Sequence, residues 1–298
     1  MSFIVENSQV VIIGPGKVGT TLAVKARRSG LNVVAIGGRD KSKCEQAARA
    51  AGNEVQALTI VEAARLGDLT LLAVSDDAIG AVCAEIAQAK AFKRESLVAH
   101  LSGALSSEVL LSAKELCGAN IVSAHPLKTF ADARAAAGDK ESVFWFVEGD
   151  AQAVADVSSF IEKLGGKPYA IARDGKALYH SASVVACNYF VTLMDVALQL
   201  MCRAGVDEGI AWMALRPLVK GTLDNIDALG PPSALTGPIA RGDVRTVKRH
   251  MEAIRRSRPE AIPIYATLGK ETVNLALRKG TIDEARAAEI KRGLAFDE

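Results

Sequence analysis

Four apolar residues, Val10-Val11-Ile12-Ile13, run straight into Gly14-Pro15-Gly16-Lys17-Val18-Gly19, and a helical pattern begins at Thr20. A buried strand that stops at glycines and turns at once into a helix leaves few folds open to the chain. Gly14 permits the turn, Gly16 removes the Cβ that would keep a pyrophosphate off the backbone, and Gly19 lets the helix lie close to the strand. The helix start, with Pro15, Lys17 and Val18 in the turn, then offers N–H groups and a partial positive charge to phosphate oxygens. The spacing predicts a dinucleotide site. It does not fit the other common phosphate loop, which needs a lysine where this chain has Thr20.

The residues beyond the turn suit a dinucleotide-binding fold. Short apolar runs alternate with helical stretches, as a parallel sheet with crossover helices requires. Strands are expected over residues 9–13, 32–36, 54–57, 69–74, 96–100 and 120–124, with helices near 17–29, 41–51, 60–64, 77–90 and 106–116. Thr59 and Glu62 have capping-box spacing. Right-handed crossovers make this an α/β fold with a doubly wound parallel sheet. Two further strands, 144–147 and 167–172, joined by a helix over 151–164, extend the sheet and close a first domain at residues 1–172.

From Asp174 onward strand patterns nearly vanish, and residues 173–298 read as an all-helical second domain. Its longest stretch, 176–202, has no Pro or Gly, and its apolar residues wrap most of the helix. Such a helix belongs in a helical core or a subunit interface. Ser181, Asn188, Thr192, Asp195 and Gln199 form one polar stripe along it, which argues against a membrane span. Later helices are expected over 207–228, 244–256, 260–278 and 283–291, the last capped by Thr281 with Glu284.

Composition removes several classes of function. A net charge of +2, with Lys and Arg spread along the chain, leaves no electrostatic footprint for nucleic acid. The cluster Arg255, Arg256 and Arg258 reads as a solvated helix end. Five scattered cysteines with no C-x-x-C pair fit reduced thiols in a cytoplasm, and no metal-ligand spacing is present. Met1–Asn7 lacks a basic segment, and Glu6 cuts its short apolar run, so no signal peptide is expected.

The second strand ends Ile36-Gly37-Gly38-Arg39-Asp40-Lys41-Ser42. An acid placed there would bind a ribose 2′-hydroxyl and favour NAD; glycine holds that place here. Arg39 can grip a 2′-phosphate, with Lys41 and the Ser42 hydroxyl beside it, which favours NADP over NAD. Asp40 leaves a route to NAD or caps the next helix. The fourth strand ends at Val74-Ser75, expected near the ribose or nicotinamide. Asp76 or Asp77 reads as a helix N-cap before a catalytic acid.

Histidines end two neighbouring strands: His100-Leu101-Ser102-Gly103 and His125-Pro126-Leu127-Lys128-Thr129-Phe130. Either imidazole can give a proton to a carbonyl or imine being reduced, or hold loop backbone. The Ser102 hydroxyl and the turn it opens suit a substrate carboxylate, and Lys128 is either an anion clamp or a surface charge. A third group opens the long helix: Lys176, Tyr179 and His180, with Asn188 two turns on. His180 and Asn188 suit proton donation and substrate orientation, or a satisfied core.

These motifs, with Tyr179-His180-Ser181-Ala182 and Leu235-Thr236-Gly237-Pro238-Ile239-Ala240-Arg241-Gly242-Asp243, resemble the 6-phosphogluconate-dehydrogenase-like superfamily. The likeness is greatest to a branch of NADP oxidoreductases with a Rossmann-like N-terminal domain and a C-terminal helical domain of unknown function. That branch is related to pyrroline-5-carboxylate reductases and β-hydroxyacid dehydrogenases. The resemblance implies that Gly14, Gly16 and Gly19 bind the pyrophosphate, that Ser102 faces substrate, that Asn188 is the active-site asparagine, and that the helical domain forms a homodimer. It also implies a departure: the catalytic lysine of β-hydroxyacid dehydrogenases is replaced by Val184, and the Ser-Gly-rich helix entry of pyrroline-5-carboxylate reductases is missing. The proton donor then falls to His180 or His125. Arg241 reaches a substrate anion, in the neighbouring subunit's cleft, or sits in a turn whose Asp243 caps a helix, and the two roles can coexist.

The reading that joins these features is a cytoplasmic NADP-dependent oxidoreductase acting on a small carbonyl or imine that bears an anionic group. Two others remain: a cofactor-binding sensor without chemistry, and an oxidoreductase whose partner is a deazaflavin coenzyme.

Overall fold

The computed structural model describes residues 8–129 and 142–296, so the Met1–Asn7 reading and Phe130 lie outside the described residues. The chain divides into two compact units, Met1–Val185 and Ala186–Glu298.

The first unit carries eight strands: β1 Val10–Ile13, β2 Val33–Gly37, β3 Gln56–Leu58, β4 Leu69–Leu72, β5 Leu97–His100, β6 Asn120–Pro126, β7 Phe144–Gly149 and β8 Lys167–Ala170. They form one sheet in the order β3-β2-β1-β4-β5-β6-β7-β8. Strands β1 to β6 are parallel, so Ile13, Gly37, Leu72 and His100 end along one edge. The order reverses between β1 and β4, which opens a crevice at that edge.

Helices cover both faces. On one lie α1 (Lys17–Arg28), α2 (Lys41–Ala51) and α6 (Ala151–Lys163), burying Leu22, Ala47 and Phe160 with Ile12 and Ile36. The other face carries α3 (Ile60–Ala64), α4 (Asp76–Gln88) and α5 (Leu111–Cys117), burying Ile79, Ile86 and Ala113 with Val11 and Ile13. Each fully buried Ile or Leu contributes roughly 2 kcal/mol by leaving water. Both sheet faces being covered explains why the strands read as continuous apolar runs.

Two strands depart from the parallel expectation: β7 and β8, parallel to each other, both run against β1 to β6. β7 pairs antiparallel with β6, Ala124 opposite Val147. Leu127 N–H donates to Phe144 O at 2.9 Å, so the chain re-enters the sheet at the end where β6 leaves it. With the exit of β6 bonded to the entry of β7, the second strand runs backwards beside the first.

Several local expectations hold and others shift. Thr59 and Glu62 form the reciprocal capping box that opens α3. Asp40 caps α2 through Lys43 N–H at 3.1 Å, its carboxyl held below the ordinary value chiefly by that bond. Neither Asp76 nor Asp77 caps α4. Ser75 stands at that N-cap without a side-chain bond, and the two acids lie in the first turn, favourable to the helix dipole. The expected helix over 106–116 splits into a 3-10 turn, Ser107–Leu110, and α5, which ends where Gly118 takes a left-handed φ of 70°.

The long apolar stretch is two helices, α7 (Lys176–Ala186) and α8 (Asn188–Arg203), parted at Cys187 with φ −115° and ψ −65°. By length and composition Lys176–Arg203 could cross a membrane. Its first turn is nonetheless tied to the sheet, because the Lys176 ammonium donates to the Ser123 hydroxyl of β6.

The second unit continues with α9 (Glu208–Ala234), α10 (Val244–Ser257), α11 (Ile262–Lys279) and α12 (Glu284–Gly293). Val247, Met251, Ala266, Val273 and Ile290 meet in its core. α9 runs past its expected end through Gly230, whose φ of 74° bends it ahead of Pro231 and Pro232. Asp283, not Thr281, caps α12 by accepting from Arg286 N–H at 2.7 Å, since the helix starts one residue after it. Arg255 and Arg256 are exposed in the last turn of α10, whereas Arg258, expected with them at a solvated helix end, is half-buried with its Nη1 out of contact with solvent.

Candidate active site

The glycine turn lies at the switch point. Gly14 has φ 113° and donates to Gly37 O at 2.8 Å; a Cβ on it would stand 2.5 Å from the Ala73 carbonyl oxygen. Only glycine fits such a position. Gly19 is buried, and a Cβ there would collide with the Gly14 carbonyl. Gly16 differs: it is exposed, and a Cβ on it would meet nothing. The two outer glycines serve chain packing, and the middle one borders open space at the N-terminus of α1. That terminus has no side-chain cap and no acid in its first turn. Pro15, Lys17 and Val18 complete the turn, with the Pro15 carbonyl accepting from Thr20 Oγ1 at 3.3 Å. A cradle of this form accommodates a pyrophosphate.

Beside it, at the ends of β2 and β3, lies a cavity of about 270 Å³ lined by Gly38, Arg39, Lys41, Leu58, Thr59 and Glu62. Arg39 and Lys41 are exposed on its rim, and Ser42 comes next in the first turn of α2. Val74 and Ser75 close the opposite side of the glycine turn, where Val74 Cγ1 would lie 3.1 Å from a Cβ on Gly14.

Further along the edge, Ser102 is buried and its hydroxyl is fully engaged. It donates to Asp76 Oδ2 at 2.7 Å and accepts from Ala104 N–H at 3.1 Å and Leu105 N–H at 3.0 Å. Asp76 thus anchors a loop instead of capping a helix, and the Ser102 hydroxyl holds its own turn. His100 serves the same loop. Its Nδ1 accepts from Ser102 N–H at 3.1 Å, which leaves Nε2–H to donate to Ser106 O at 3.1 Å. Full burial, reinforced by the Lys176 charge, lowers its pKa from 6.5 to about 4. Of the two roles open to His100, the structure gives it the backbone one.

The loop so fixed presents Gly103 to two imidazoles. A Cβ on Gly103 would collide with His180 Nδ1 and stand 2.9 Å from His125 Cε1 and 3.0 Å from His125 Nε2. The rings of His125 and His180 are 5.9 Å apart and nearly perpendicular. His125 Nδ1 lies 2.8 Å from the Tyr179 hydroxyl, and Tyr179 stacks on Phe146 of β7 at 4.3 Å. Burial, then the charges of Lys176 and His180, bring His125 down from 6.5 to about 4; burial raises Tyr179 to about 12. Both groups are therefore neutral at physiological pH.

Lys176, which its sequence neighbours leave looking like an ordinary helix-start lysine, is 1% exposed. Burial lowers its pKa to about 8, against the opposing pull of Glu148 and Asp76. Glu148, itself buried, accepts from Ser107 N–H at 2.7 Å and Ser107 Oγ at 2.8 Å, with Arg173 Nε at 3.5 Å. The signal lay in the spacing: Lys176, Tyr179 and His180 share one face of α7.

Lys128 lines a small pocket with Thr21, Leu22 and Lys25 of α1. Asn188 opens α8 in the second unit and is exposed. Arg241 is also in that unit, exposed, in a turn whose Asp243 caps α10 through Thr246 N–H at 3.0 Å. Val184 is half-buried where relatives would carry lysine. Among the described residues no cluster of His, Cys, Asp and Glu could hold a metal.

A Rossmann-like domain model matches residues 5–126, and a domain of unknown function (DUF2520) matches residues 143–272. The chain joins a Rossmann-like domain to a DUF2520 domain. The DUF2520 match begins at β7, so it spans the edge of the sheet as well as helices of the second unit. No curated protein matches the chain. Among solved structures it is similar to a "putative NADP oxidoreductase" from Bacteroides fragilis, with TM-score 0.73 and 21% identity over 91% of this chain and 100% of that one. Protein TM1727 from Thermotoga maritima gives TM-score 0.71 and 24% identity over 91% and 99%. A reductive aminase from Aspergillus terreus, in complex with NADPH and ethyl levulinate, gives TM-score 0.63 and 16% identity over 96% and 99%. At these identities the likeness is one of fold.

Proposed function

We propose that this protein is an NADP-dependent oxidoreductase that moves hydride between NADP(H) and a small carbonyl or imine substrate bearing an anionic group. One observation carries the reading: His125 and His180 converge on Gly103 at the same sheet edge where the glycine turn opens. A sensor without chemistry has no need of two imidazoles set against one Cα.

The residues fit the dinucleotide. Gly16 and the uncapped start of α1 suit the pyrophosphate, the cavity at Gly38–Lys41 suits the adenosine end, and Arg39 suits a 2′-phosphate. When bound, the nicotinamide supplies the hydride. The protein's part is positioning and proton handling. His180, half-buried on α7, gives the proton to the reduced substrate, and His125 orients the reacting heteroatom. Five free cysteines suit a reducing cytoplasm.

The second unit supports a homodimer. α8 buries no residue and α9 buries only Ala211, although both are rich in large apolar side chains. Helices with so much exposed apolar surface need cover, and a second copy supplies it symmetrically.

Calorimetry with NADPH and NADH, then nicotinamide absorbance against a panel of keto and imino acids, tests the reading. Expected are tight NADPH binding and turnover that His180→Ala abolishes at unchanged cofactor affinity. No heat with either dinucleotide would end the oxidoreductase reading, and full turnover by His180→Ala would end the role of that histidine.

A further inference from the structure

We propose that the site is built for a carbonyl oxygen and against a protonated imine, because Tyr179 sets His125 as an Nε2–H donor on the side of Gly103 and the buried Lys176 ammonium stands behind it. This rests on the oxidoreductase reading above and narrows its substrate class.

The geometry begins on β6. Ser123 and His125 are two apart on one strand, so their side chains leave the same face. Lys176 Nζ donates to Ser123 Oγ, which places the cation on the face that carries His125. One turn along α7, the Tyr179 hydroxyl meets His125 Nδ1. A phenol is a better hydrogen-bond donor than a neutral imidazole, so Tyr179 donates and Nδ1 accepts. The single ring proton is then on Nε2, the nitrogen that faces Gly103.

The charges around His125 have been given other work. Asp76, from α4, accepts from Ser102 Oγ. Glu148, from β7, is taken by Ser107 and Arg173. His100, from β5, spends both ring nitrogens on backbone. Of the charges that His125 feels, Lys176 comes first, His180 next, both opposing added positive charge, and Asp76 comes third with the opposite sign.

A ligand atom set against Nε2–H must offer a lone pair. A carbonyl oxygen has two; an iminium nitrogen has none and brings a positive charge toward Lys176. During reduction the carbonyl carbon gains hydride from the dinucleotide, the π pair moves to oxygen, and that oxygen takes its proton from His180. The carbonyl becomes an alcohol and the reduced dinucleotide is oxidised. Negative charge grows on oxygen along the way, where a fixed N–H donor and a nearby cation stabilise it. A neutral imine would need protonation before it could accept hydride, which returns the case to the iminium.

Two measurements test this on the full-length protein. Nitrogen-15 NMR of His125 is expected to show the Nε2–H tautomer in the wild type and a tautomer mixture in Tyr179→Phe, which keeps the ring on Phe146. With NADPH, a carbonyl compound is expected to exceed the N-methyl iminium salt of the same skeleton by at least ~30-fold in kcat/KM, with Lys176→Met narrowing that ratio. An Nδ1–H tautomer in the wild type, or an iminium salt reduced as fast as its carbonyl, would overturn the proposal. Hydride transfer to neither class, with NADPH bound, would instead overturn the oxidoreductase reading and the substrate class with it.

Discussion

The Tyr179 hydroxyl lies 2.8 Å from His125 Nδ1, although the two residues are separated by 54 positions. Two periodicities mesh at that contact. Along β6, Ser123 and His125 leave one face at spacing two; along α7, Lys176, Tyr179 and His180 share one face at spacings three and four. Lys176 meets Ser123, Tyr179 meets His125, and His180 meets the Gly103 backbone. A helix that reads as the start of the helical half is, at its first turns, part of the sheet's site.

Gly103 should therefore be the least replaceable residue in the site. A methyl group there would collide with His180 Nδ1 and crowd His125 at 2.9 Å, pushing both rings off position. Displacement of catalytic groups by about 1 Å costs on the order of 100-fold. Gly103→Ala is expected to lower kcat/KM by about that factor and to leave NADPH affinity unchanged, because the glycine turn lies between β1 and α1. Steady-state rates together with calorimetry check this; normal rates would mean that the histidines do not act there.

Arg39 should decide between the two nicotinamide dinucleotides. It stands on the rim of the cavity at the end of β2, where Asp40 is already engaged as the cap of α2. A hydrogen bond to a charged group contributes about 1.5–3 kcal/mol, roughly a 10- to 100-fold change in affinity. Arg39→Ala is expected to weaken NADP binding by that factor and to leave NAD binding as it was. Equal losses for both would show that Arg39 does not read the phosphate.

The sheet, its covering helices and the glycine turn were legible in the sequence because each has a local signature: a buried run, a glycine at a forced φ, a capping pair. The direction of β7 was not, since an apolar run looks the same in either direction and only the return of the chain beside β6 decides it. Side-chain roles were harder still. Ser102 looked available to substrate until its three partners were seen, and Asp76 looked like a cap until it was found on Ser102. A lysine at a helix start reads as a surface charge, and nothing local announces that Lys176 is buried under β6. Such roles are set by contacts across tens of residues, which no window of sequence contains.

Stability should fall on mild acidification through the buried histidines. His100 and His125 hold pKa values of about 4 in the fold, against 6.5 for a free imidazole. Between those values the unfolded chain binds more protons, so stability rises with pH through that range. Their contribution is complete above about pH 7 and lost as pH falls toward about 4. For fully buried His100 this amounts to about 3 kcal/mol across the range. Urea midpoints at several pH values should show the slope, and His100→Gln should reduce it whatever its effect at neutral pH. A flat profile between pH 5 and pH 7 would mean that these rings take up protons as readily in the fold as in the unfolded chain.

The apolar surface of α8 and α9 should be the seam of a dimer. Met213 is 69% exposed and Leu218 67%, with Val191 and Ile210 also exposed nearby in sequence. Burying each such side chain is worth roughly 2 kcal/mol, so leaving the whole set in water is costly to a monomer. Light scattering of the wild type is expected to give twice the chain mass, and Met213→Glu or Leu218→Glu to give the single-chain mass, because a buried unpaired carboxylate costs more than the methylene contact it replaces. A wild-type monomer at micromolar concentration would refute the seam, and co-sedimentation with lipid vesicles in place of dimerisation would hand that face to a bilayer.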